Sequence, residues 1–269
     1  MTAPFELTAI ETGEGPRIVL VHGALGDHRQ WAAIAGRLGA RCRVSALSRR
    51  HHWPNDAPPA DAPYTYEGHC DDLLAYLRAT DHPVDLAGHS WGAGIVLLAA
   101  LREPALVSRL ILIEPPFASL LPQDTAGLEN ELADRTSMVA SLQRLALAGR
   151  NDEASRLLID WTQGGPGGFA ALPRDAQDAL LQNAATVGPT FSAPPPHVDC
   201  EALRDLQVPT LVLNGERTRP FYRVVGERAA ASIPGARRAQ IPGGAHMTIV
   251  ERPEETAALM MEFLNSTST

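Results

Sequence analysis

Two periodicities alternate along the chain. Short, uninterrupted runs of aliphatic and β-branched residues mark strands buried on both faces. The longer stretches between them repeat apolar residues every three or four positions, the spacing of a helix with one buried stripe. Strands are predicted over 17–22, 42–47, 84–87, 110–114, 210–214 and 237–241, and helices over 31–38, 66–79, 91–102, 222–231 and 254–264. Within 67–77, Leu73, Leu74 and Leu77 share a face with Cys70, which assigns Glu67, Asp71 and Asp72 to the outer face. Strands alternating with helices in this way build a mostly parallel sheet with crossover helices, an α/β architecture.

The alternation lapses over 117–206, where helical patterns continue without a convincing strand. Gly164-Gly165-Pro166-Gly167-Gly168 and Ser192-Ala193-Pro194-Pro195-Pro196 punctuate this stretch. It reads as a helical insertion perched over the strand ends, dividing the chain into a core of 1–116 and 207–269 and a helical cap of 117–206. At 269 residues one hydrophobic core suffices, and 45% hydrophobic with 20% charged residues is a soluble, globular balance.

Charge narrows the partners. A net charge of −8 repels phosphate backbones, and the basic pairs Arg49-Arg50 and Arg237-Arg238 are isolated, so nucleic acid is not an expected partner. Cys42, Cys70 and Cys200 are odd in number and contain no Cys-x-x-Cys pair, which fits a reducing compartment. The N-terminus lacks the pattern of a signal peptide and no long apolar run reads as a membrane span, so a cytoplasmic location is expected. No phosphate loop, dinucleotide fingerprint, His-Glu-x-x-His or paired cysteines are present, and neither a cofactor nor a metal is expected. His51-His52, in a Pro-rich stretch, reads as part of a solvated loop. Oligomeric state leaves no trace in the pattern.

The most specific chemical signal is Gly88-His89-Ser90-Trp91-Gly92, which follows the apolar run 84–87 and opens the helical run 91–102. Gly-x-Ser-x-Gly between a strand and a helix is a nucleophile elbow, a sharp turn that lifts the serine hydroxyl above the sheet. The flanking residues are glycine because Cβ atoms two positions either side of the serine would strike the adjoining strand and helix. A second signal is Val19-Leu20-Val21-His22-Gly23-Ala24, an apolar strand ending in His-Gly.

On these two motifs the chain resembles the α/β-hydrolase family over essentially all of its length except the insertion, and an α/β-hydrolase fold is expected. The resemblance implies an oxyanion hole built from the backbone N–H groups of Ala24 and Trp91, the residues after His-Gly and after the nucleophile. His22 reads as bracing the loop, given a better base further along the chain, and His89 as packing inside the elbow. Of nine histidines, His246 is the expected base, because it follows the strand 237–241 and the turn Pro242-Gly243-Gly244-Ala245, where this family presents its catalytic histidine.

The acid departs from the family's usual pattern. Most members carry an aspartate three residues after the glycine that ends the strand reading Thr210-Leu211-Val212-Leu213-Asn214-Gly215; here that residue is Thr218. Two carboxylates compete to replace it. Glu216 lies two residues early, whereas Glu114 finishes an apolar strand beside the elbow, at the sheet edge where sites of open α/β sheets form. Some relatives carry the acid there, among them fungal zearalenone lactonases with a glutamate. Glu114 is therefore preferred, and Thr218→Ala is expected to matter little.

Ser90 with His246 and Glu114 implies attack on a carbonyl through an acyl-enzyme, and a serine there excludes the haloalkane dehalogenases and epoxide hydrolases of this fold. Phe117, Leu121, Trp161 and Phe191, with Leu120, Met138, Leu142 and Leu157, are candidate walls of an apolar cavity, and Trp53 and Trp91 could add aromatic surface. A small hydrophobic ester or lactone is the expected partner. Two alternatives stay open: carbon–carbon hydrolysis, lyase or perhydrolase chemistry on the same triad, and a hydrolase-derived protein that binds a small ligand.

Overall fold

In the computed structural model, which describes residues 5–58, 64–80, 83–122, 124, 127–192 and 197–266, the strand and helix patterns close on one sheet. The Pro-rich stretch 193–196 lies outside the described residues. Seven strands, β1 (Thr8–Thr12), β2 (Arg17–Val21), β3 (Arg43–Ser48), β4 (Val84–His89), β5 (Val107–Ile113), β6 (Thr210–Gly215) and β7 (Arg237–Ile241), stand in the order β1-β3-β2-β4-β5-β6-β7. Only β1 runs antiparallel, against β3; the other pairings are parallel.

Alternation within each strand sorts side chains between the two faces. Ile18, Leu20, Ile111 and Ile113 pack with α1 (Ala32–Leu38) and with Ala257, Met260 and Phe263 of the C-terminal helix (Pro253–Asn265). Val19, Val21, Leu110 and Leu112 face the opposite layer, with Leu73, Leu74 and Leu77 of α2 (Tyr66–Arg78) and Ile95 and Val96 of α3 (Trp91–Arg102). Each of these strand side chains is essentially inaccessible, and burying one contributes about 1.5–3 kcal/mol.

Between β5 and β6 the described residues contain no strand. They form α4 (Glu129–Leu147), α5 (Asn151–Thr162), α6 (Arg174–Gln182), α7 (Val187–Ser192) and the short α8 (Cys200–Arg204). The chain then continues through α9 (Pro220–Ser232), α10 (Thr248–Glu251) and the C-terminal helix, α11.

Three expectations change. Strand β1 was not foreseen, because an exposed edge strand such as Thr-Ala-Ile-Glu-Thr has no buried face to impose alternation. Asp72 points inward, fully buried, where it pairs with Arg50 and accepts the backbone N–H of Phe5 at 2.7 Å. A buried carboxylate is tolerated when a cation and further donors satisfy it, and a helical spacing rule cannot foresee that partner. His52 is likewise buried instead of solvated. It donates from Nδ1 to Gly26 O and accepts the Tyr64 hydroxyl at Nε2, both at 2.6 Å.

Candidate active site

Ser90 links β4 to α3 with φ 51° and ψ −120°, a conformation that lifts its side chain off the sheet. Its N–H still donates to Ile113 O at 2.8 Å, so the sheet ladder reaches right up to the turn. The glycines are forced by close approach. A Cβ on Gly88 would lie 2.4 Å from Gly92 O, and one on Gly92 would lie 2.4 Å from Val21 O and 2.5 Å from His22 O.

Glu114 follows β5 one strand over, also at positive φ (54°), and its N–H donates to Leu213 O at 2.9 Å. Parallel pairing of β4, β5 and β6 thus delivers Ser90, Glu114 and the Gly215 turn to the same edge of the sheet. His246 arrives from the turn after β7. Its Nε2 lies 2.9 Å from Ser90 Oγ and its Nδ1 3.2 Å from Glu114 Oε2. The carboxylate places the ring proton on Nδ1, leaving Nε2 to accept the serine proton. His89, buried in the elbow, donates from Nε2 to His246 O at 2.9 Å and so holds the histidine backbone in place.

The carboxylate is fully buried, and its donors are Gly215 N at 2.6 Å, Thr218 Oγ1 at 2.5 Å and, more loosely, Asn214 Nδ2 at 3.4 Å. Burial is the largest influence on both members of the pair, pushing the Glu114 carboxyl up to about 7 and the His246 imidazole down to about 3. The hydrogen bonds of Thr218 and Gly215 act against burial and favour the anion. Glu216, the competing carboxylate, is exposed and accepts Gly243 N at 2.8 Å, away from the ring. Thr218, read from the sequence as of little consequence, hydrogen-bonds the Glu114 carboxylate.

The two expected oxyanion donors, Ala24 and Trp91, lie just after β2 and at the start of α3. Trp91 begins α3, where a helix has no internal acceptor for its N–H. Gly23 packs against the elbow, its would-be Cβ 3.2 Å from Ser90 Cβ. His22 accepts Arg49 N at Nε2 (3.0 Å) and therefore donates from Nδ1 to Gly23 O (2.8 Å), the bracing role expected of it. Sequence reading missed Arg49. This side chain is 2% exposed, lies 4.6 Å over the Trp91 ring and donates from Nη2 to Gly23 O at 2.9 Å. Among the described residues no carboxylate pairs with it, and nothing in Arg49-Arg50 as a dipeptide announces a buried cation.

A cavity of about 190 Å³ opens onto Ser90 and His246. Ala24, Trp91, Met138, Trp161 and Phe191 line it, as do Tyr66 and Tyr222, which were not anticipated. Phe117 and Leu121 do not. Phe117 is 1% exposed inside the hydrophobic core and Leu121 packs against that core, because the segment leaving β5 packs beside α9 instead of turning directly over the site. Leu120, equally buried, joins them, and Trp53 sits at the surface under the Arg29 guanidinium, 3.9 Å from its ring.

A model of the alpha/beta hydrolase family matches residues 18–259. The chain is 26% identical over 270 residues to the 2-(acetamidomethylene)succinate hydrolase of Mesorhizobium japonicum, covering 97% of this chain and 92% of the relative. It is 27% identical over 285 residues to the 2-hydroxymuconate semialdehyde hydrolase of Pseudomonas putida, covering 98% and 92%. The first curated relatives it matches are spanned over only 45% and 29% of their own lengths. The solved carboxylesterase CesB of Bacillus subtilis superposes with a TM-score of 0.72 at 20% identity, covering 97% of this chain and 93% of that one, a likeness of fold alone. No helix among the described residues is long and apolar enough to cross a membrane.

Proposed function

The chain belongs to the alpha/beta hydrolase family, and from that premise we propose that it is a serine hydrolase of small hydrophobic carboxylic esters or lactones. The observation that carries the reading is the continuous chain of contacts from Ser90 Oγ to His246 Nε2 (2.9 Å) and from His246 Nδ1 to Glu114 (3.2 Å) at the floor of an apolar cavity. A serine hydroxyl is a weak nucleophile until a base takes its proton, and the neutral imidazole is placed to do so.

In this reading Ser90 Oγ attacks the carbonyl carbon while His246 Nε2 takes its proton. The backbone N–H groups of Ala24 and Trp91 receive the oxyanion. The imidazolium, steadied by Glu114, then protonates the departing alcohol and later activates the water that frees the acid. Residues 117–206 act as the cap, contributing Trp161 and Phe191 to the cavity and holding substrate against the strand ends. Hydrolysis of a panel of p-nitrophenyl esters and of small and macrocyclic lactones, with products identified by mass, tests the proposal. Turnover lost by about 10⁴-fold in Ser90→Ala supports it, and unchanged turnover in that variant removes it.

A second reading, carbon–carbon hydrolysis on the same three residues, is favoured by the full-length likeness to the 2-hydroxymuconate semialdehyde hydrolase of Pseudomonas putida. Release of an acid and an enol from a ketone whose β,γ-alkene is conjugated to a second carbonyl, which takes up the electron pair of the broken bond, without turnover of esters, would select it.

A further inference from the structure

We propose that Arg135, Tyr66 and Tyr222 form a carboxylate-binding subsite of the Ser90 cavity, so that the substrate is an ester or lactone that also carries a free carboxylate. This deepens the serine hydrolase reading above and rests on it.

The three side chains line the same cavity as Ser90 and His246. Arg135 projects from α4, half-buried, with its guanidinium 4.7 Å over the Phe221 ring. Among the described residues no hydrogen bond or ion pair takes it. Its acidic neighbours on the helix are already committed. Glu131, one turn earlier, holds Arg219 at 2.7 Å; Asp134 accepts Arg219 at 2.6 Å and Trp161 Nε1 at 2.7 Å. Arg219 thus satisfies both carboxylates and lies 4.0 Å over the Trp161 ring, which leaves Arg135 facing the cavity without an anion.

The two phenols frame the same space. Tyr66 is 5% exposed and stacks on Trp91 at 3.8 Å, and Tyr222 is 7% exposed with its ring 4.1 Å from that of His246. Neither hydroxyl has a hydrogen-bond partner among the described residues. Burial raises both phenols above their usual range, so they remain O–H donors at any physiological pH. The charge of Arg135 reaches both rings.

A guanidinium fork, which has no acceptor atom, and two phenols whose protons have no acceptor among the described residues are costly to leave unpaired among Met138, Leu158, Ile159 and Phe191. A carboxylate satisfies all three, since its two oxygens match the fork while their other lone pairs accept hydroxyls. The reacting carbonyl then sits toward Ser90 and the anion toward α4, which fixes which end of the substrate meets the nucleophile.

The test separates binding from turnover. In Ser90→Ala protein, calorimetric titration with monomethyl glutarate and with dimethyl glutarate compares molecules that differ mainly in one charge. At least tenfold tighter binding of the monoester is expected, with that preference largely abolished in Ser90→Ala/Arg135→Gln and retained in Ser90→Ala/Arg144→Gln, whose altered arginine lies on α4 outside the cavity. Should the Arg135→Gln protein fail to fold, Tyr222→Phe keeps the ring and is expected to reduce the preference several-fold. Equal affinity for the two ligands, or a preference that survives Arg135→Gln, overturns the subsite. In wild type, hydrolysis of both esters at equal kcat/KM leaves the hydrolase and removes the subsite. Binding of the monoester with no hydrolysis of either ester keeps the subsite and removes the ester hydrolase.

Discussion

Thr218 Oγ1 donates to Glu114 Oε2 at 2.5 Å. The residue at the position where the family resemblance led one to expect an acid therefore donates to a carboxylate supplied by another strand. The hydroxyl is short and neutral, so it stabilises the Glu114 anion without competing for His246 as a second carboxylate would.

Thr218→Ala removes one charge-assisted hydrogen bond from a buried carboxylate, a loss of about 1.5–3 kcal/mol. Expected is a fall in kcat of about tenfold or more, with Thr218→Ser near wild type and Glu216→Gln unaffected. Steady-state kinetics on one activated ester decide it; a dead Glu216→Gln alongside an active Glu114→Gln would reverse the assignment of the acid.

The pH–rate profile follows from the same pair. The imidazole is already neutral above about 3, whereas the Glu114 carboxyl, raised to about 7, loses its proton only near neutrality. The rate constant kcat/KM is therefore expected to rise with pH through about 7 as the pair acquires its negative charge. A profile flat from pH 5 to 8 contradicts this.

Stability has its own pH dependence. His22, His52, His69, His89 and His246 are buried and held below their ordinary 6.5, in each case chiefly by burial. Unfolding lets each of them bind a proton. The stability they contribute is complete above 6.5 and is lost as pH falls below it, at about 1.4 kcal/mol per pH unit for each histidine. Glu114 works in the opposite direction. Its raised carboxyl contributes stability that is full below 4.5 and lost as pH rises through about 7. Five groups outweigh one, so urea midpoints are expected to drop steeply between pH 6.5 and 5. Midpoints independent of pH in that window would disprove the account.

In the proposed mechanism Arg49 acts on the oxyanion site from behind. Its hydrogen bond to Gly23 O polarises the peptide unit whose N–H belongs to Ala24. Arg49→Lys retains charge but not the fork and is expected to lower kcat about tenfold with little change in KM. Equal kcat, measured on protein shown to be folded by its thermal transition, would mean that Arg49 only packs.

How much of this was readable in advance depends on the range of the interactions involved. Ser90 was legible because an elbow is local, with five residues fixing a strand, a turn and a helix start. His246 was legible because the last strand and its turn precede it directly. Glu114 could be ranked above Glu216 from its place at a strand end. Arg49, Asp72 and His52 could not be placed, since burial of a polar side chain depends on partners distant in sequence, such as Gly23 for Arg49 at 2.9 Å. Phe117 and Trp161 are both apolar and both follow β5, and no local pattern distinguishes the one that entered the core from the one that lines the cavity.

The alternation of the core strands and helices, the turn at Ser90 and the candidate residues Ser90, Glu114 and His246 were readable in the chain, because periodicity and turn sterics act over a few neighbouring positions. Packing alone decided how closely Glu114 approaches His246, that Thr218 donates to it, and that Tyr66, Arg135 and Tyr222 meet around one space. Those are distances between segments far apart in the chain, and they acquire values only when the sheet brings its strand ends to a common edge.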